Sequence, residues 1–122
     1  CYGGFVVLNA AKLGDAVKGT VSFHGDLSGV TPKKGAIQGD ILVCQGSDDQ
    51  FVPEKARAAF KKSMDSVGTH YKFIQYAGAT HAFTNPEATG LGKKFNLPIA
   101  YNAAADSASW NDMKLFFVSV FK

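Results

Sequence analysis

Scarcity narrows the class of this chain before any motif does. No run approaches the roughly 18 to 20 consecutive apolar residues that a membrane-spanning helix requires; the longest candidates are residues 5–8 and 116–118. No membrane association is therefore expected. Two cysteines close at most one bridge, and 122 residues with a real core need no such staple. Cysteine usage thus leaves the redox compartment open, and a cytoplasmic setting is the default. Surplus charge is also slight, 13 basic against 10 acidic residues, or +3. The lysine pairs Lys33-Lys34, Lys61-Lys62 and Lys93-Lys94 lie far apart in the chain, whereas phosphate binding needs several cations on one face. No nucleic-acid partner is expected. With 46% hydrophobic and 19% charged residues, disorder and a coiled coil are excluded. There is no repeat and no low-complexity tract, and the length suits one domain, residues 1–122.

Three segments read as strands. Residues 20–23 alternate, with Val21 and Phe23 on one face, and end at His24 and Gly25. Residues 41–44 form a continuous apolar run stopped by Gly46, the pattern of a strand covered on both faces of a parallel sheet. Residues 71–76 close at Gly78. Between the last two a helix is expected, with Pro53 in its first turn, Glu54 at its N-terminus, and Ala56, Ala59, Phe60, Met64 and Val67 spaced for one buried face before Gly68. A second helix follows a cap at Asn102 and carries Ala103, Trp110, Met113, Phe117 and Val120 or Phe121. Strand, helix, strand is the parallel crossover unit, and right-handed connections place helices on both faces of the sheet. The fold class is α/β, a parallel sheet of about three strands with helices on both faces. Residues 5–11 are ambiguous: Phe-Val-Val-Leu favours a strand, while the flanking glycines bracket about three turns of helix. Residues 85–100 are long for a structureless loop and imply a functional loop or an unplaced turn of helix.

In a parallel sheet, functional side chains gather where the strands end. Three groups fit. Cys1 precedes Gly3-Gly4 at a possible helix start, Asp49 follows the second strand, and His81 follows the third. The order nucleophile, acid, histidine is that of α/β-hydrolases. The chemistry needs these types together. An imidazole and a helix N-terminus stabilise a thiolate, and a carboxylate accepting the other imidazole N–H fixes its tautomer and orientation. The N–H of the residue after the nucleophile, Tyr2, is the usual first donor to the developing oxyanion, with Gly3 allowing the tight turn.

On these residues the chain resembles the dienelactone hydrolase family, from the nucleophile cysteine onward through the C-terminal half of an α/β-hydrolase. The family pattern G-x-C-x-G-G meets Cys1-Tyr2-Gly3-Gly4, G-x-x-D-x-x-V-P meets Gly46, Asp49, Val52 and Pro53, and G-x-x-H-x-F meets Gly78, His81 and Phe83. Asn85-Pro86, Tyr101-Asn102, Ala105-Asp106 and Ser109-Trp110 are similar to less specific family features. The resemblance implies a helix after Cys1, with Cys1 as nucleophile, Asp49 as carboxylate and His81 as general base. It also implies hydrolysis of a lactone or ester through an acyl-cysteine, with no metal or organic cofactor. Dienelactone hydrolases proper place a carboxylate-clamping arginine four residues after the histidine, where this chain has Asn85; a dienelactone is therefore not singled out as substrate. The family's strand into the cysteine, its first elbow glycine and its second oxyanion donor have no counterpart in these residues, so the chain reads as a fragment of a larger domain with impaired activity. Lacking that strand, the one containing Val21 and Phe23 has an open edge, which predicts a homo-oligomer joined there.

The other residues have plainer readings. Cys44 is a core residue, Asp48 a loop or cap residue, His70 a solvated one, and His24 a turn histidine that could line the crevice. A metal site at His24, Asp26 and His81 lacks the local spacing of a zinc motif, and neither Gly3-Gly4 nor residues 90–93 complete a phosphate loop. Trp110 and the nearby phenylalanines read as core or subunit contact. The competing class is a non-catalytic, flavodoxin-like interaction module in which Cys1, Asp49 and His81 coincide without acting together.

Overall fold

A computed structural model describes residues 1–122. In chain order it contains α1 (Tyr2–Lys12), β1 (Gly19–Phe23), β2 (Asp40–Gly46), α2 (Glu54–Ser66), β3 (Tyr71–Tyr76), α3 (Ala88–Phe95) and α4 (Ala103–Val120). The three strands form one parallel sheet in the order β1-β2-β3. The α/β class and the strand count agree with the sequence reading, and residues 5–11 are helical. No helix is long and apolar enough to cross a membrane.

Alternation along β2 divides the core. Ile41 and Val43 face Leu8 and Ala11 of α1 and Phe60 and Met64 of α2, while Leu42 and Cys44 face Ala105 and Phe116 of α4. A strand flanked by partners and covered on both faces can be apolar at every position, which is why residues 41–44 read as an unbroken run. Val21 and Phe23 lie on the α4 side, sharing a face as their spacing predicts.

Helix registers depart from the apolar periodicity in instructive ways. In α2, Phe60 and Met64 are buried as expected, but Ala59 is exposed and Arg57 is buried in its place. The reason is polar: Arg57 Nη1 donates to the carbonyls of Gly46 at 3.1 Å and Ser47 at 2.9 Å, which turns the helix toward the end of β2. Pro53 is the residue before the helix, not within its first turn. In α4, Asn102 caps as predicted, accepting from the Ala105 N–H at 3.0 Å. The face on the sheet, however, carries Ala105, Ser109 and Phe116, leaving Ala103 and Trp110 exposed. The long segment 85–100 contains α3, which two interior glycines had masked. Gly92 is required there, since a Cβ would lie 2.5 Å from the Ile99 carbonyl oxygen.

Helix α1 lies against β1 through a glycine contact. A Cβ on Gly4 would collide with Ser22 Oγ and sit 2.9 Å from Gly25 Cα, whereas Gly3 has nothing within 4 Å. The tight requirement thus falls on Gly4, not on Gly3. This close approach seats the start of α1, and with it Cys1, over the carboxyl end of β1. Gly4→Ala is expected to destabilise the fold by about 1–3 kcal/mol through overpacking. Gly3→Ala, in open space on the same helix, should be neutral or stabilising by up to about 1 kcal/mol, and urea denaturation of the two variants reads the contrast directly.

Candidate active site

Register aligns the carboxyl ends of the strands, Phe23 pairing with Cys44 and Gly46 with Tyr76, so the segments that follow converge at one edge. His24 follows β1, Asp49 follows β2 and His81 follows β3, while Cys1 stands at the N-terminus of α1. Two of these segments touch through backbone. A Cβ on Gly46 would meet the Ala79 carbonyl, its carbon at 2.8 Å, and the Asp48 N–H donates to that carbonyl at 2.9 Å. Only a glycine lets the acid-bearing turn and the histidine-bearing loop come this close.

Asp49 is buried at 2% exposure. Its Oδ1 accepts the Phe51 N–H at 2.9 Å, closing an Asx turn, and its Oδ2 accepts from Gln45 Nε2 at 2.9 Å. That same Oδ2 lies 2.9 Å from His81 Nδ1. Because a carboxylate only accepts, the shared proton belongs on Nδ1, leaving Nε2 of His81 as the free acceptor. Asp48 is exposed, with the Ser47 hydroxyl as its side-chain partner. The structure therefore brings together Asp49 and His81 and sets Asp48 apart.

Cys1 and His81 line one cavity of about 410 Å³, walled by Tyr2, Phe5, Phe51 and Val52, with Asp26 also in its lining. The hydrogen-bonding contact of the thiol, however, is His24: Sγ is 3.5 Å from His24 Nδ1, and the Cys1 nitrogen is 3.0 Å from the same atom. The expected chain of hydrogen bonds thus runs from Asp49 to His81 and breaks before the sulfur. Tyr2, the first residue of α1, presents its N–H at the helix's open end beside the thiol.

His24, read as a turn histidine that could line the crevice, has a larger part in the structure. Its backbone is left-handed, φ 40°, its ring packs edge-on against Phe83 and His81 at centroid distances of 5.1 and 5.6 Å, and Nε2 lies 2.9 Å from Thr84 Oγ1. Burial, followed by the positive charges of the Cys1 amino group and His81, pushes its pKa down to about 3. It is a neutral imidazole at ordinary pH. Gln45 and Arg57 were missed as well. A glutamine ending an apolar strand run was the available signal for the first, and nothing local distinguished the second. Cys44 is buried, and burial raises its thiol pKa to about 11, as suits a core residue. His24, Asp26 and His81 do not form a metal-holding cluster.

Three parallel strands with flanking helices and polar side chains gathered at the carboxyl edge form an open α/β arrangement with its candidate site where such sheets place theirs. The match to the dienelactone hydrolase family extends over residues 1–121, and the chain belongs to that family. It is similar to a dienelactone hydrolase-like promiscuous phosphotriesterase from metagenomic libraries, at 30% identity and a TM-score of 0.89 over 98% of this chain and 49% of that one. It is likewise similar to the structure named m3DLH, at 31% identity and a TM-score of 0.91, covering all of this chain and 50% of the other. A Caenorhabditis elegans protein described as uncharacterized is 29% identical over 99% of this chain and 77% of its own length. The chain thus spans about half the length of the solved structures it matches.

The buried neutral state of His24 makes stability pH-dependent. An unfolded histidine binds its proton near pH 6.5 and the folded one only near pH 3, so this contribution is complete above about 6.5 and is lost as pH falls below it. At pH 5 the loss is at most about 2 kcal/mol. His24→Asn, which tolerates a positive φ, should flatten the decline between pH 7 and pH 5 in denaturant titrations.

Proposed function

We propose that Cys1, His81 and Asp49 are the nucleophile, general base and orienting acid of a carboxylic ester or lactone hydrolase. The observation that carries this reading is the 2.9 Å His81–Asp49 contact on the cavity that also holds the Cys1 thiol. This mechanism requires the Cys1 sulfur to leave His24 for His81, which lines the same cavity. His81 Nε2 then takes the thiol proton and Sγ adds to the substrate carbonyl carbon, the carbonyl oxygen gaining the negative charge. The Tyr2 N–H at the start of α1 is suited to receive that charge. Collapse expels the alkoxide, which takes the proton from His81, and leaves an acyl-cysteine. Water, deprotonated by His81, attacks the acyl carbon and returns the thiol. The buried, doubly anchored Asp49 holds the imidazole tautomer throughout and stabilises its protonated form.

The family points to a small-molecule substrate. Activity of the whole protein is part of this proposal, because the chain covers half of its solved relatives. A second oxyanion donor supplied from beyond these residues would make hydrolysis by the 122 residues alone about 100- to 1,000-fold weaker. The test is hydrolysis of a neutral aryl ester by this chain and by a chain of the relatives' length. Cys1→Ala should abolish turnover in both, and Asp49→Asn should lower kcat by about 10⁴-fold, with an acyl adduct on Cys1 detectable by mass spectrometry. Undiminished turnover in Cys1→Ala rules the mechanism out.

A further inference from the structure

The cavity above Cys1 contains groups that ester hydrolysis itself does not require. Three aromatic rings, Tyr2, Phe5 and Phe51, share its lining with the carboxylate of Asp26, and no lysine or arginine is among the lining residues. Tyr2 and Phe5 lie nearly parallel, centroids 6.0 Å apart, and Phe51 tilts over His81 at 4.8 Å. Rings that line a cavity beside a thiol gain free energy when a ligand covers them. Aromatic faces carry negative potential, so their preferred polar ligand is a cation. Asp26 supplies a full negative charge at the same place. Its Oδ1 accepts the Ser28 N–H at 2.8 Å, and that bond holds its carboxyl below the usual carboxylate range.

Two cations lie nearby. Lys12 faces Asp26 electrostatically but is buried under the loop, its Nζ 3.4 Å from the Leu27 carbonyl and 5.6 Å from the centre of the Phe60 ring. The Cys1 amino group, 3.0 Å from His24 Nδ1, adds a positive charge beside the thiol that opposes the carboxylate, so the contribution of Asp26 is read as the change on removing it. Position 85, just beyond the histidine loop, holds asparagine and supplies no positive charge.

We propose that this cavity selects esters bearing a cationic alkylammonium group, held on the faces of Tyr2, Phe5 and Phe51 with Asp26 as counter-ion, and discriminates against anionic esters and lactones. The word ester rests on the hydrolase reading above; the cation preference does not, so it is tested without turnover. Cys1 is the exposed cysteine and Cys44 is buried, so thiol-directed reagents report on the cavity. The trimethylammonioethyl, sulfonatoethyl and methyl methanethiosulfonates react alike: the thiolate forms a disulfide with the sulfenyl sulfur, and methanesulfinate leaves. They differ in charge.

With each rate divided by that of the same reagent on a small free thiol, the cationic-to-anionic ratio at Cys1 is expected to be about fivefold or more. Asp26→Asn, whose side-chain oxygen can keep the Ser28 turn, should bring that ratio down severalfold while leaving the methyl reagent within about twofold. Phe51→Leu should slow the cationic reagent by about two- to fivefold and spare the anionic one. A ratio equal to that of the free thiol, or one unchanged in Asp26→Asn, overturns the inference whatever the methyl rate does. Charge selectivity without ester hydrolysis retains the cation site and removes the hydrolase reading; hydrolysis without charge selectivity does the reverse.

Discussion

The contact on which the edge of this sheet depends is between backbones. Gly46 ends β2 against the Ala79 carbonyl, and the Asp48 N–H donates to that oxygen. Any side chain at position 46 would separate the turn that carries Asp49 from the loop that carries His81. Arg57 strengthens the same place from beneath, bonding the Gly46 and Ser47 carbonyls from the first turns of α2. Gly46 forms the last pair of β2 with β3 and Ser47 follows it, and the Gly46 carbonyl also accepts the Asp49 N–H at 3.3 Å. A buried guanidinium therefore does two things at once: it satisfies the acceptors and fixes the rotation of α2. The Asp49–His81 hydrogen bond follows from the position of these backbones more than from the two side chains themselves.

His24 extends the same logic to the first strand. Its left-handed backbone ends β1 sharply and returns the ring over the sheet edge, where Phe83 packs against it and Thr84 bonds its Nε2. Sparsely populated backbone conformations persist where surrounding structure over-determines them. Ala82, also left-handed at φ 61°, lies in the loop that supplies both Phe83 and Thr84. Two such positions on facing loops hold the imidazoles 5.6 Å apart. One imidazole meets a buried carboxylate and the other a threonine hydroxyl, so identical side chains stand in different surroundings.

How much of this was legible in the sequence depends on the range of the determining interaction. β2 was plain because burial on both faces writes an unbroken apolar run, and the start of α4 was plain because Asn102 caps it locally. Asp49 and His81 could be chosen because each stands at a fixed distance from local signals, Val52-Pro53 and Gly78. Residues governed by contacts distant in the chain were not legible. Arg57 broke the apolar periodicity of α2 in order to reach carbonyls ten and eleven residues away. α3 was hidden because Gly92 answers to the Leu97 and Ile99 backbone, not to helix propensity. Trp110, read as core or subunit contact, lies outside the core because an aromatic at helical spacing suits either an inner or an outer stripe, and the sheet selected Ala105, Ser109 and Phe116.

The contact between Cys1 and His24 bears on chemistry as well as structure. A neutral imidazole can accept the thiol proton in a hydrogen bond, yet burial and neighbouring positive charge make it reluctant to keep that proton. His24 Nδ1 is shared, the Cys1 nitrogen lying 3.0 Å and the sulfur 3.5 Å from it. His81 is placed differently, since its Nδ1 meets the buried carboxylate of Asp49. For the proposed hydrolysis the sulfur must therefore leave His24 before His81 can take its proton, and the contacts of His24 with Phe83 and Thr84 bear on that step as directly as the Asp49–His81 hydrogen bond does.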